Sequence, residues 1–258
     1  MNKFKHTLIL AMGSITIGLS QGATAAPITA AATIDWSQLQ LVFTSLNGSE
    51  SAVTFSNHRT SLSSNAASSG MSEYNSKSVN NWTSITETNA DAGTAHADAL
   101  ASSLSLSGNA VPTDGSASSS GDRTLNFSAN GPGVLTVTVP YTLSLTGDSG
   151  CYYCYYDHAT VSGNASFHSY TGTGNGSSYS DVSYSLNNDY WNPSPDSQAG
   201  TLVFGIVASG PGSGSLRVGF DLATHTASMV PEPETYAMLL AGLLLIGSIA
   251  RRRSMSIT

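Results

Sequence analysis

Charge is what this chain has least of. Only 10% of its 258 residues are Asp, Glu, Lys or Arg, against about a quarter in an ordinary soluble domain. Serine, threonine, asparagine, glycine and alanine fill the gap. Nine basic residues against sixteen acidic ones give no basic footprint for phosphates, which excludes a nucleic-acid binder. The thin charge also argues against an ordinary cytosolic enzyme, whose surface stays soluble through mixed charge. Two cysteines are too few for a disulfide-built mini-protein. The length suits one medium domain plus addressing segments.

Those segments lie at the two ends. Residues 1–25 read as a secretory signal peptide: Lys3 and Lys5 supply the positive start, Leu8 to Leu19 the apolar stretch, and Ala23-Thr24-Ala25 the small-x-small cleavage pattern. The cut is expected after Ala25, because the apolar run is short for a membrane anchor. At the other end, residues 229–254 combine Pro231-Glu232-Pro233, an uncharged apolar stretch from Thr235 to Ala250, and the cluster Arg251, Arg252 and Arg253. At 1.5 Å per residue the apolar stretch makes roughly 24 Å of helix, just short of a hydrocarbon core. The arginines can snorkel to close the gap and hold that end in the cytoplasm. A single C-terminal transmembrane helix is therefore expected, with the bulk of the chain outside.

This three-part tail resembles the PEP-CTERM sorting signal, found on otherwise diverse proteins of Gram-negative bacteria that make exopolysaccharide. The resemblance implies an exosortase, a membrane transpeptidase-like enzyme, as the partner that recognises the tail and removes it near the Pro-Glu-Pro. Signal peptidase is the other processing partner. It makes this chain a substrate, and leaves the membrane contact limited to the C-terminal helix until processing.

Residues 26–230 keep four basic side chains, Arg59, Lys77, Arg123 and Arg217, against fourteen acidic ones, a net charge of −10. Such a surface discourages anionic membranes and nucleic acid and is compatible with divalent cations or neutral sugars. This region, with its domain set at 26–228, reads as all-β, a β-sandwich or jelly-roll-like ectodomain. Ile34 to Phe43 suggests a first strand pair or one bent strand, and Leu125 to Phe127 precedes a turn at Asn130 to Gly133. Val134 to Val139 is β-branched and alternating, with Tyr141 to Leu145 continuing the period; Pro140 between them suggests an edge or a bend. Further strands are expected at Ala159–Phe167, Ser180–Leu186, Thr201–Ala208 and Ser215–Leu222. The order of these features also loosely resembles the β-rich ectodomains of other PEP-CTERM proteins.

Residues 56–108, rich in serine, alanine and asparagine, are harder to read. Ala95 to Ala101 alternates alanine with other residues, which in a strand makes a small-residue stripe. Alanine's propensity offers a helix from Ala90 to Leu104 instead; strand is favoured because the alternation continues into Ser103, Ser105 and Ser107. The composition of Ser61 to Gly70 also fits local disorder.

For chemistry, the distinctive segment is Cys151-Tyr152-Tyr153-Cys154-Tyr155-Tyr156, read as part of a long hairpin loop. Outside the cytoplasm its two cysteines most simply form a local disulfide that stiffens the loop. A zinc set of Cys151, Cys154, His158 and His168 and a redox pair are weaker alternatives. Tyr152, Tyr153, Tyr155 and Tyr156 offer rigid faces and hydroxyls for a polysaccharide, with Tyr190 and Trp191 downstream, beside Tyr170, Tyr179 and Tyr184. Catalytic residues are not expected: the chain has no Gly-x-Ser-x-Gly elbow, no His-Glu-x-x-His and no phosphate-cradling loop, and no carboxylate pair is marked by context. No metal or cofactor site is expected either. The serines from Ser116 to Ser120, and Asn-x-Ser/Thr triplets at Asn47, Asn81, Asn126, Asn164 and Asn175, are potential glycan acceptors. The expectation is an exported, non-enzymatic surface or matrix protein, structural or adhesive in an exopolysaccharide or biofilm layer; a carbohydrate-binding module or carbohydrate-active enzyme is the alternative.

Overall fold

In the computed structural model, the described residues are 27–46, 50–147, 157–171, 174–188 and 196–226, all within one compact unit, Ala25–Met229. Thirteen strands account for about four-fifths of them: β1 (Thr29–Asp35), β2 (Gln40–Ser45), β3 (Val53–Ser68), β4 (Met71–Val79), β5 (Thr86–Ala92), β6 (Ala95–Ala101), β7 (Ser105–Pro112), β8 (Gly115–Ala129), β9 (Gly133–Thr146), β10 (His158–Thr171), β11 (Gly174–Asn187), β12 (Ser197–Ala208) and β13 (Gly212–Thr226). They form two antiparallel sheets. The first has the order β12-β9-β1-β7-β6-β5, with β2 also on β9; the second has the order β11-β10-β13-β8-β3-β4. The expected all-β sandwich is the observed class.

Inward positions of the two sheets build the core between them. Ile28, Ile34, Leu106, Leu135, Val137 and Val139 come from one side, and Leu125, Phe127, Val161, Phe167, Val218 and Phe220 from the other. Along β9 and β10 burial alternates with period two, as a strand with one wet face requires. The spacing between the sheets is set where a ring meets a glycine: a Cβ at Gly108 would lie 2.5 Å from Phe220, and one at Gly163 would lie 2.3 Å from Phe204.

β1 and β2 are one strand interrupted by a 3-10 turn, Trp36–Gln38, capped by Asp35, whose carboxylate accepts from Ser37 N and Ser37 Oγ. The Ser37 hydroxyl, above all, holds the Asp35 carboxyl below its ordinary value. Both segments pair with the same edge of β9, β2 over Gly133–Thr138 and β1 over Tyr141–Thr146. Pro140 therefore lies in an interior strand, not at an edge, and β9 runs through it unbroken against β12. Leu145 N donates towards β12, to Asp196 O. By alternation the Pro140 nitrogen faces the other way, into the break between β1 and β2, where no partner asks for its missing N–H.

Three other expectations need correction. Ser61 to Gly70 is not disordered; it is the second half of the 16-residue β3 and its turn into β4. Its inward serines are satisfied across the sandwich. Ser64 Oγ bonds Thr88 Oγ1 (2.8 Å) and Thr88 O, and Ser68 Oγ bonds Thr94 Oγ1. A hydroxyl that reaches the opposite sheet costs little to bury, about 1 kcal/mol in its favour when paired. Second, the segment Ala95–Ala101 is a strand as favoured, with all four alanines buried. Its alternation, however, stops at a turn over 102–104, so Ser105 and Ser107 belong to β7. Third, β9 and β10, which flank the cysteine–tyrosine segment, lie in different sheets and are not the arms of a hairpin. Ser116–Ser120, read as a glycan-acceptor run, lies inside β8 between β13 and β3, and Ser119 is buried there.

Candidate functional site

The residues singled out from the sequence mostly lie outside the described residues: Pro231, Glu232, Pro233, Arg251, Arg252, Arg253, Cys151, Cys154, Tyr152, Tyr153, Tyr155, Tyr156, Tyr190 and Trp191. The base of the cysteine–tyrosine segment is described. Asp157 is buried, its main-chain oxygen accepts from Asn188 N, and its Oδ1 accepts from His225 N at 2.6 Å. The zinc alternative fails on distance. His158 and His168 sit ten residues apart on the continuous β10, roughly 33 Å at strand rise, and His158 Nε2 instead meets Asp221 Oδ2 at 2.9 Å. Among the described residues no three His, Cys, Asp or Glu side chains are placed to hold a metal ion. Tyr170 and Tyr179 are exposed, whereas Tyr184 stacks on Tyr141 with centroids 5.3 Å apart. Burial, and then Tyr184, push the Tyr141 phenol up.

A site the sequence did not reveal lies where β4 stops. β4 ends at Val79, opposite Thr60, so the first half of β3 pairs only with β8. In that half a β-bulge sets Asn57 and His58 against the single Leu125 of β8, with Asn57 in the left-handed region at φ 51°. Asparagine tolerates this conformation better than other side chains, and bulges re-aim the side chains they carry. Here they aim into a groove of about 870 Å³ lined by Asn57, His58, Arg59, Asn80, Trp82 and Asn126, among others.

The groove wall is pinned. Trp82 Nε1 donates to Arg59 O at 3.1 Å, and Thr60 Oγ1 donates to Asn81 O at 2.8 Å. Asn81 Oδ1 accepts from Thr83 N and Ser84 N, closing the turn. The ring of Trp82 packs edge-on against Trp36 (5.0 Å) and His58 (4.6 Å). Behind it Arg123, 1% exposed, lays its guanidinium 4.7 Å from the centre of the Trp36 ring. Arg123 Nη2 donates to Trp82 O and Ser102 O. Burial pushes the Arg123 guanidinium down to about 10, which leaves it charged at neutral pH. The interior cation thus fixes the tryptophan from the back while the groove side stays open.

Three of the polar side chains lining the groove are uncommitted. The side-chain amides of Asn57, Asn80 and Asn126 have no hydrogen-bond partner among the described residues. Asn57 and Asn126 also line an adjoining trough of about 460 Å³ that runs past Ser128 and Ser215 to Ser166 and His168. Together the two cross β3, β8, β13 and β10, roughly 14 Å at inter-strand spacing. Neither lining contains a carboxylate.

These features define an all-β, two-sheet antiparallel sandwich with a preformed polar groove on the outer face of one sheet. The affiliation comes from the tail: the chain carries a PEP-CTERM protein-sorting motif over residues 230–254. The motif implies processing by an exosortase and exosortase-dependent export to the cell surface. The chain matches no curated protein and no solved structure. Among the described residues no helix is long and apolar enough to cross a membrane; the stretch from Thr235 to Ala250 lies outside them.

Proposed function

We propose that this is a non-enzymatic surface protein that adheres to the polysaccharide of an extracellular matrix or biofilm. Signal peptidase removes residues 1–25, the ectodomain spans 26–228, and the 229–254 segment anchors the precursor by its helix until the exosortase acts. The observation that carries the binding role is the convergence of three unengaged amides, Asn57, Asn80 and Asn126, beside the pinned Trp82. Amides serve sugar hydroxyls as both donors and acceptors, and an aromatic side chain offers a face for a sugar ring. Glycoside hydrolysis needs two carboxylates flanking the scissile bond. The groove and its adjoining trough have none, which favours holding a glycan over cutting it.

The Cys151–Tyr156 segment, with a Cys151–Cys154 disulfide, supplies a second contact. It joins β10 at His158, roughly 26–33 Å along the strand from Ser166 and His168, so the two contacts are tested apart. Polysaccharide from the native matrix is immobilised and retention of the full chain is measured. Asn57→Ala with Asn126→Ala removes hydrogen bonds worth about 2 kcal/mol together, a roughly thirtyfold loss. Unchanged retention of that variant refutes the groove as the site, and unchanged retention of a Tyr152/Tyr153/Tyr155/Tyr156→Ala variant refutes the loop.

A further inference from the structure

The bulk charge of the ectodomain points to neutral sugars, but the groove is locally the reverse of the bulk. Of the four basic residues in 26–230, Arg123 is interior and Arg217 is held by Asp122 at 3.2 Å. Arg59 and Lys77 remain, and neither has a carboxylate partner among the described residues. Lys77 pairs with the buried Leu62 and so lies on the inward face of β4, with Glu73 and Asn75. Among the described residues Arg59 is the unpaired cation of the outer face, beside Ser61 and Ser78. Arg59 lines the main groove and also a neighbouring depression of about 280 Å³, which it shares with the outward Tyr74, Ser61 and Ser63. The one carboxylate there is Asp122, already committed to Arg217.

The geometry of Arg59 suits an anion. Its Nε donates to Ser78 Oγ at 2.7 Å, which fixes the guanidinium plane and leaves the two terminal nitrogens uncommitted. That fork matches the two oxygens of a carboxylate, a fit a neutral hydroxyl cannot use in full. The amides of Asn57, Asn80 and Asn126 then serve the hydroxyls of the same or adjacent rings.

We infer that the groove takes an acidic polysaccharide, with a sugar carboxylate on Arg59. This rests on the adhesive reading above and names its ligand class. The test uses the full chain in mild detergent, with affinity electrophoresis through alginate, a polyuronate, or through dextran, a neutral glucan. Alginate is expected to retard the protein and dextran to do so far less. Arg59→Gln should weaken the alginate interaction about tenfold, the loss of one charge-assisted contact. Asn126→Asp, which sets a carboxylate in the groove without changing its shape, should weaken it as well. Unaltered melting of both variants excludes a folding defect. Equal retardation by dextran and alginate, or alginate binding indifferent to both variants, overturns the acidic ligand. Absence of alginate binding overturns it too. If the protein then still binds its native matrix polysaccharide through Asn57 and Asn126, the adhesive reading survives; if it binds neither, both fall.

Discussion

Replacing Gly108 by alanine is expected to unfold this protein more readily than its single methyl suggests. A Cβ on Gly108 would sit 2.5 Å from Phe220 Cε2, 2.6 Å from its Cζ and 2.5 Å from Ser119 Oγ, about 1 Å inside ordinary carbon contact. The ring cannot retreat, because Gly121 already lies against its other edge, where an added Cβ would be 2.7 Å from Cε1. Overpacking of this kind costs about 3 kcal/mol, at the upper end of its usual range. Displacing Ser119 also strains its bond to Asp98 O, about 1 kcal/mol more. The sum of about 4 kcal/mol corresponds to a melting point lower by roughly 8–16 °C for a domain of this size. Phe220→Leu alone costs about 2 kcal/mol as a cavity, yet it makes room for the new methyl. The double variant should therefore be no less stable than Gly108→Ala alone, a favourable coupling of about 2 kcal/mol or more in urea unfolding followed by tryptophan fluorescence. Simple additivity of the two substitutions, within about 0.5 kcal/mol, would refute the claim that this ring–glycine contact sets the separation of the sheets.

Other outcomes follow from single contacts. His96 lies between Asp91 (Nδ1 to Oδ1, 2.6 Å) and Asp98 (Nε2 to Oδ1, 3.4 Å). The Asp91 hydrogen bond, above all, holds the imidazole above its ordinary 6.5 against the opposing effect of burial. Its stabilisation is fully present below 6.5 and fades as pH rises through the raised value. The urea midpoint should therefore show a decline on that limb that His96→Gln removes. At the bulge, Asn57→Val places a β-branched residue at φ 51° and should cost about 1–2 kcal/mol, read in the same assay. Asn57→Gly should keep the fold and lose polysaccharide retention, separating the backbone role from the amide. The intact mass of the protein from its native envelope and medium should lack Met1–Ala25 and everything past the Pro-Glu-Pro. Recovery of residues 26–258 unprocessed in the membrane fraction would mean that the tail is only an anchor.

The tail was legible because its meaning is contiguous: proline, apolar run and arginines follow one another without any need of a fold. β9 was legible because it is rich in β-branched residues, and Thr136 and Thr138 alternate with Leu135, Val137 and Val139 in hydropathy itself. β3 and most of β8 were not. Their inward residues, such as Ser64, Ala66, Ser68, Ala117 and Ser119, differ from the outward ones in environment and hardly at all in polarity. What buries them is a partner oxygen on the opposite sheet, as for Ser119 on Asp98 O, and this is invisible along the chain. The groove was hidden for a different reason. It gathers Asn57–Arg59, Asn80–Thr83, Thr124 and Asn126 from three separate places, and it exists only because β4 is shorter than β3 and a bulge turns two side chains. No local pattern announces either. Pro140 misled because its neighbour, and not β9, carries the interruption.

The position of the last strand has a mechanical consequence. β13 ends at Thr226, just ahead of the sorting motif, and it is an inner strand, paired with β8 over fifteen residues and with β10 over twelve. A pull on Thr226 along the axis of β13 would load the strand on both sides. Both ladders then carry the load in parallel and must fail together, whereas a peripheral strand would peel away one bond at a time. Such a load would meet its resistance in the middle of the sheet whose outer face carries the groove.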